Sequence, residues 1–175
     1  MAKSQKSVSF ETTLIKSPLE SGWHFLTIER EIVDKFAFTG KSKRVVCSIK
    51  GGEPFQCALM PWGEIFYIIV NKSKRESAGI DAGDTVEVEL VLDESKYGLP
   101  MPEEFQEVLN QDHEGDRLFH ALTEGKQRSV LYYVSKIKDI DKRIHASLIF
   151  VDHLKENDGK IDNRLLMEEL KRPLF

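Results

Sequence analysis

The sequence predicts an α+β fold, with six strands in two strand-strand-helix-strand repeats followed by a helical segment. Three observations carry this. Up to about residue 93 apolar residues alternate with polar ones at a period of two, and beyond it they recur at helical spacing. The change falls in DESKYGLPMPEEF, where Gly98, Pro100 and Pro102 punctuate the chain. The strand-rich part, compared with itself, also shows one order of elements twice. The 175 residues suffice for one ordinary core or two small ones. The expected division is residues 1–93 for the strand-rich domain and 94–175 for the helical region.

Val8, Phe10, Thr12 and Leu14 alternate with Ser9, Glu11 and Thr13, the pattern of a half-buried first strand. WHFLTI (23–28), RVVCSIK (44–50), PFQCALM (54–60), EIFYIIV (64–70) and DTVEVELVL (84–92) supply the other five. Gly51 and Gly52 are expected to give the positive backbone angles of a tight turn between the third and fourth strands, and Pro61-Trp62-Gly63 to turn the fourth into the fifth. EREIVDKF (29–36) and NKSKRESAG (71–79) read as short helices. Asn71 is an N-cap candidate, and Gly79 stands where a left-handed terminator is wanted. Gly83 and Asp84 form the turn into the last strand, where Val86, Val88, Leu90 and Leu92 face one way.

The repeat is seen by setting SFETTLI (9–15) on PFQCALM (54–60), which share Phe, three residues, then Leu and a long aliphatic. A turn ending at Gly22 or Gly63 follows, then a strand, a polar short helix, a glycine at Gly40 or Gly83, and a β-branched strand. The tetrapeptide KSKR occurs at 41–44 and again at 72–75, but the two copies do not correspond in this register. The second matches Glu29-Arg30-Glu31-Ile32, and the first matches the region around Asp84.

YIIVNKSKRESAGIDAGDTVEVELVLD resembles the half-motif of the AbrB and MazE transcription-factor superfamily, in which two chains each contribute half of a double-split β-barrel that grips DNA. Here one chain holds both halves, which implies a six-stranded double-split β-barrel within a single molecule. Over residues 8–93, through Trp23, Arg44-Val45, Gly51-Gly52, Pro54-Phe55, Leu59-Met60-Pro61, Arg75, Gly79, Gly83-Asp84-Thr85-Val86 and Asp93, the chain resembles the bacterial domain of unknown function 1905. The second part resembles the C-terminal helical region of the YdeI/OmpD-associated, or bacteriocin-protection, proteins. Pro102-Glu103-Glu104, Leu122-Thr123, Lys136 or Lys138, and Arg143 occupy comparable places. Lys142 replaces the Thr of that family's Thr-Arg pair, and Ile144-His145-Ala146 stands where an Arg-Arg-Ile run is usual. The resemblance implies a link to stress or bacteriocin protection.

In the helical part, Val130, Leu131, Val134 and Ile137 form one apolar stripe, and Ile144, Leu148, Val151 and Leu154 form another. Thr123 and Asp139 are N-cap candidates. The tail is expected to add a helix docking through Leu165, Leu166 and Leu170.

The net charge of -4 and a pI near 5.8 run against a general nucleic-acid or membrane binder. No apolar run is long enough to span a membrane, and MAKSQKSVSF lacks the apolar core of a signal peptide, so the expected location is cytoplasmic. Cys47 and Cys57, the two cysteines, sit in strand-like runs and read as reduced and buried. No metal site is expected, since two thiolates without a histidine at finger spacing cannot hold zinc. No nucleophile elbow, phosphate-cradling Gly loop or dinucleotide fingerprint is present, so neither catalysis nor a cofactor is expected. Between Lys41 and Arg75 seven basic residues face two acidic ones, Glu53 and Glu64. The expected role is therefore non-catalytic binding of a small ligand or protein by a monomer, through Arg44, Lys72, Arg75 and Arg143. The alternative is DNA binding through a basic face of the barrel.

Overall fold

The computed structural model describes residues 7–39 and 42–173, so Gly40 and Lys41 lie outside the described residues. The chain divides into two compact units, Met1–Glu94 and Ser95–Phe175, each with its own apolar core.

The first unit contains strands β1 (Ser7–Lys16), β2 (His24–Glu29), β3 (Arg44–Ile49), β4 (Phe55–Ala58), β5 (Met60–Trp62), β6 (Ile65–Ile69) and β7 (Thr85–Leu92), with short helices α1 (Arg30–Val33) and α2 (Lys72–Ala78). All pairings are antiparallel, in the order β4-β3-β7-β1-β2-β6-β5. Only Leu59 separates β4 from β5. The two ends of that order are thus one run of chain, and the sheet comes round into a nearly closed barrel. Counted this way it has six staves. Its interior is filled by the inward positions of every long strand, including Leu14, Leu26, Val45, Ile68 and Leu90, all fully buried.

The sequence reading placed a turn at Pro61-Trp62-Gly63, and here the structure differs. Pro61 and Trp62 are strand residues paired with Phe66 and Ile65, and the turn is confined to Gly63 and Glu64. Proline is tolerated because β5 is a short strand at the end of the pairing order, where its missing N–H breaks no inner ladder. Trp62 is thereby held on a strand surface.

The pairing has an approximate two-fold character. Exchanging β1 with β4/β5, β2 with β6 and β3 with β7 returns the same set of neighbours. The registers agree too. Phe10↔Val88 and Thr12↔Val86 are answered by Phe55↔Cys47 and Cys57↔Val45, and Lys16↔His24 by Pro61↔Phe66. The bond from the Leu14 amide to the Asp84 carbonyl (2.9 Å) has its counterpart from the Leu59 amide to the Lys43 carbonyl (2.8 Å). In this register Asn71 answers Glu29, so the second KSKR matches residues 30–33, one residue on from the alignment read from sequence. The reason is that the N-caps, Glu29 and Asn71, are the equivalent points.

Helix α2 is closed at both ends by local chemistry. The Asn71 side chain accepts from the Lys74 amide at 2.9 Å, and Gly79 adopts a left-handed conformation, φ 66°, with its amide returned to the last turn. Gly51 and Gly83 also have positive φ, and the Asp84 carboxylate accepts from the Asp81 amide at 2.8 Å. Gly52 differs from expectation. Its φ is not positive; a β-carbon there would lie 2.9 Å from the Ala78 Cβ and 3.1 Å from its Cα. Gly52 is needed for space, where the β3–β4 hairpin passes the end of α2. Gly52→Ala should destabilise the barrel by about 1–3 kcal/mol, seen as a lowered midpoint in denaturant.

The second unit contains α3 (Glu103–Gln111), α4 (His113–Ala121), α5 (Glu124–Lys136), α6 (Ile140–Glu156) and α7 (Asn163–Glu169). Thr123 and Asp139 cap α5 and α6, as their positions predicted, and Asp112 and Asp162 cap α4 and α7. Val130, Leu131 and Val134 are buried, and α7 docks chiefly through Leu166. The stripe assigned to α6 needs correction. Val151 and Leu154 are buried with Ala146 and Phe150, while Ile144 and Leu148 are 37 and 38% exposed. This helix carries two apolar arcs, and periodicity alone does not choose between them. Gly115 of α4 accompanies the choice, because a β-carbon on it would overlap Cγ1 of Val151. Close approach of α4 turns the Val151 arc inward.

Candidate functional site

The four cations singled out from sequence are found in different local roles. Lys72 lies at the exposed start of α2, 3.8 Å from Glu76. Arg75 is half-buried and donates to the Val70 carbonyl at 2.8 Å, tying α2 to the end of β6. Its counterpart in the other half is Val33, a buried core residue. Arg44 begins β3 and contributes to a half-buried polar group with Cys57, Asp93 and Lys74. Gln56 donates to Asp93 there at 3.2 Å. Arg143 belongs to the second unit. Its guanidinium donates to the Ile137 carbonyl, closing the α5–α6 turn, and lies 3.5 Å from Glu104 of α3.

Three further described cations of the basic stretch are also locally engaged. Lys43 sits over Phe38, Lys74 over Phe55 at 4.2 Å from the ring centre, and Lys50 is 3.3 Å from Glu87. Exposed pairs of this kind are weak, so phosphate could compete for them. They nevertheless spread the charge over several separate contacts.

The cysteines are poor nucleophiles. Burial pushes the Cys57 thiol up to about 12, with Lys74 and Arg44 only partly opposing it, and burial pushes Cys47 up as well. A thiol held protonated is neither a ready nucleophile nor a metal ligand. Among the described residues no group of three or more His, Cys, Asp or Glu is placed to hold a metal ion.

One chain of polar groups resembles a proton relay. The Tyr97 hydroxyl lies 2.7 Å from His120 Nε2, and His120 Nδ1 lies 2.9 Å from the Asp116 carbonyl and 3.1 Å from its carboxylate. His120 and Asp116 are four residues apart on α4, so helix geometry alone brings them together. The ring also packs on Tyr97 and Phe119. This fastens the chain segment before α3 to α4.

The barrel has a second kind of surface. On the outer face of β2, β6 and β5, Phe25, Tyr67 and Trp62 form a contiguous aromatic group. Phe25 and Trp62 are 5.9 Å apart at 74°, Trp62 and Tyr67 6.1 Å at 80°, and Phe25 and Tyr67 5.8 Å. With Trp23, Leu19, Pro61, Ser17 and Ser21 they line an open cleft of about 470 Å³. No side chain lining it carries a charge at neutral pH. Trp23 is 55% and Trp62 61% exposed, well beyond what a core role would leave to such large rings. The alternation explains the placement. Leu26, Ile28, Phe66 and Ile68 point into the barrel, so Phe25 and Tyr67 must point out. Phe25 and Tyr67 are equivalent positions in the two halves, and the cleft therefore straddles the approximate two-fold.

Sequence reasoning missed this site. WHF reads as strand and PWG as a turn from sequence, although Trp23, two residues before Phe25 at the same parity, and Trp62, five residues before Tyr67, were the available signal.

Residues 10–90 match the family profile "Domain of unknown function (DUF1905)", and residues 99–157 match "Bacteriocin-protection, YdeI or OmpD-Associated". These are the two resemblances noted in the sequence, in the same order. No curated protein and no solved structure matches the chain.

Proposed function

We propose that this protein is a non-catalytic binding module whose barrel unit carries the recognition surface. The observation that supports this best is the exposed aromatic cleft built by Trp23, Phe25, Trp62 and Tyr67. Exposed aromatic clusters with free polar tips are characteristic of recognition surfaces. The titratable groups argue in the same direction. The thiols are suppressed by burial, and the His120 relay fastens a connecting segment. The protein acts in the cytoplasm as a monomer, since one chain supplies both halves of the barrel and folding does not require a partner subunit.

The two-fold agreement of pairing and register supports an origin by internal duplication of an AbrB-like half-barrel. That origin accounts for shape and leaves the job to the site. A role in bacteriocin protection is taken from the name of the family matched by the helical unit. The DNA reading requires a shared basic face, whereas the described basic residues make separate contacts and the equivalent of Arg75 is apolar.

A screen of metabolites, peptides and oligonucleotides against the intact chain tests the proposal, with tryptophan emission as the readout. Ligands found this way should be lost in Trp23→Ala/Trp62→Ala, which retains no tryptophan and is read by calorimetry, and kept when Arg44, Lys72, Arg75 and Arg143 are changed to Ala. The reverse pattern would move the site to the cations. Retention on DNA that falls steeply with salt and vanishes in Lys72→Glu/Arg75→Glu would establish the alternative.

A further inference from the structure

We propose that the aromatic cleft takes a proline-rich peptide segment in the extended polyproline II conformation, an inference that rests on the cleft being the recognition site. The cleft offers the rings of Trp23, Phe25, Trp62 and Tyr67 together with Leu19 and Pro61, and no charged lining group. Phosphate, acidic peptides and basic peptides thus find no opposite charge among the residues that would touch them.

Its side-chain groups that act in one sense only, the two indole N–H groups, are donors. Among the described residues neither indole N–H nor the Tyr67 hydroxyl takes part in a hydrogen bond. An indole N–H donates only, so Trp23 and Trp62 call for an acceptor on the ligand. The complementary ligand presents apolar rings and carbonyl oxygens but few N–H groups. A polyproline II segment has these properties: proline lacks the N–H, the helix has no internal hydrogen bonds, and its carbonyls are open. It is also pre-ordered, so little conformational entropy is lost on docking into an aromatic-lined groove.

Other ligands fit the cleft less well. A quaternary ammonium needs a box of rings with space between them, and here Phe25, Trp62 and Tyr67 touch edge to face and form a ridged floor. Single-stranded nucleic acid would add base stacking but requires a cationic track beside the rings, and no cation lines the cleft. A sugar brings as many hydroxyl donors as acceptors. The lining acceptors beside the rings are confined to Ser17, Ser21 and Tyr67 hydroxyls and backbone carbonyls, and the Ser17 hydroxyl already accepts from the Leu19 amide.

The test uses a convenient property of the chain: its two tryptophans both line this cleft, so intrinsic tryptophan emission reports on the site directly. The intact protein is titrated with an acetylated and amidated oligoproline. A Gly/Ser peptide of equal length, a β-linked glucose oligosaccharide and oligothymidine serve as comparisons. The expected result is a saturable change with oligoproline and none with the Gly/Ser peptide. Trp62→Ala, read through Trp23, should weaken binding at least about tenfold, as loss of a central aromatic anchor does. Tyr67→Phe keeps the ring and loses the donor, and a several-fold weakening is expected. Trp62 is exposed, so an unchanged thermal transition in Trp62→Ala shows that the fold is intact.

Absence of a saturable response to oligoproline, or an undiminished one in folded Trp62→Ala, overturns the assignment. A response to the oligosaccharide or oligothymidine in place of oligoproline also overturns it, while leaving the cleft as the binding site. If none of these probes nor any ligand from the wider screen perturbs the tryptophans, the binding reading falls with it.

Discussion

Leu14→Ala and Leu59→Ala should each destabilise the barrel by about 2–5 kcal/mol, and by amounts that agree within roughly 1 kcal/mol of each other given the spread seen at comparable core sites. The two leucines are 0 and 3% exposed, and both stand where a long stave changes its pairing partner. Leu14 ends the part of β1 held by β7 and begins the part held by β2. Leu59 separates β4, held by β3, from β5, held by β6. Their amides donate to equivalent carbonyls, Asp84 and Lys43. Each side chain therefore fills the barrel at the point where its stave bends from one set of neighbours to the other, and truncation opens a cavity that the curved backbone cannot easily close. Denaturant unfolding followed by tryptophan emission reads this unit specifically, since both Trp23 and Trp62 belong to it. Leu19→Ala, at a side chain 72% exposed, should stay within about 0.5 kcal/mol of the parent. A large cost at Leu14 with little at Leu59 would show that the pairing symmetry does not extend to the energetics.

What the sequence disclosed follows from what local patterns encode. The barrel was legible because its first and last strands alternate, and because Phe10/Phe55 and Leu14/Leu59 keep the same spacing in both halves. The cap residues Asn71, Thr123 and Asp139 were legible because a short polar side chain before a helix has one main use. Gly52 was misread for a physical reason: glycine serves positive φ and close packing equally, and the sequence does not show Ala78 beside it. The α6 face failed similarly, since two apolar arcs on one helix can be ranked only when the neighbouring helix is in view.

The candidate site was less legible still. A basic tetrapeptide is conspicuous in a string of letters, whereas an outward-facing tryptophan looks the same as an inward-facing one until strand parity is fixed. Reading Pro61-Trp62-Gly63 as a turn removed Trp62 from the sheet and so from the company of Tyr67 and Phe25. Moving the turn by two residues, to Gly63-Glu64, was enough to assemble the cleft. Arg75 and Arg143 illustrate the converse. Both were chosen for charge, and both donate to backbone carbonyls that need a partner, Val70 and Ile137.

His153→Ala should destabilise the helical unit by about 3–5 kcal/mol, whereas Glu169→Gln should cost only about 1 kcal/mol, the scale of a weakened hydrogen bond. His153 and Glu169 are 1 and 5% exposed, with His153 Nδ1 2.9 Å from the carboxylate. The other ring nitrogen settles the protonation. The Asp162 amide donates to Nε2 at 3.0 Å, so Nε2 is an acceptor, the imidazole is neutral, and its proton is on Nδ1, donated to Glu169. The ring thus joins α6 to the segment before α7 and to α7 itself. Replacing it with Ala leaves a buried carboxylate without its donor and an amide without its acceptor, the costly kind of deletion. Gln at 169 still presents a carbonyl oxygen to Nδ1–H, so the bond survives with a neutral acceptor. The unit lacks tryptophan, and its unfolding is best followed through helical circular dichroism. If Glu169→Gln proved as damaging as His153→Ala, the pair would be held by charge, with a protonated imidazole, and the tautomer argued from the Asp162 amide would be wrong.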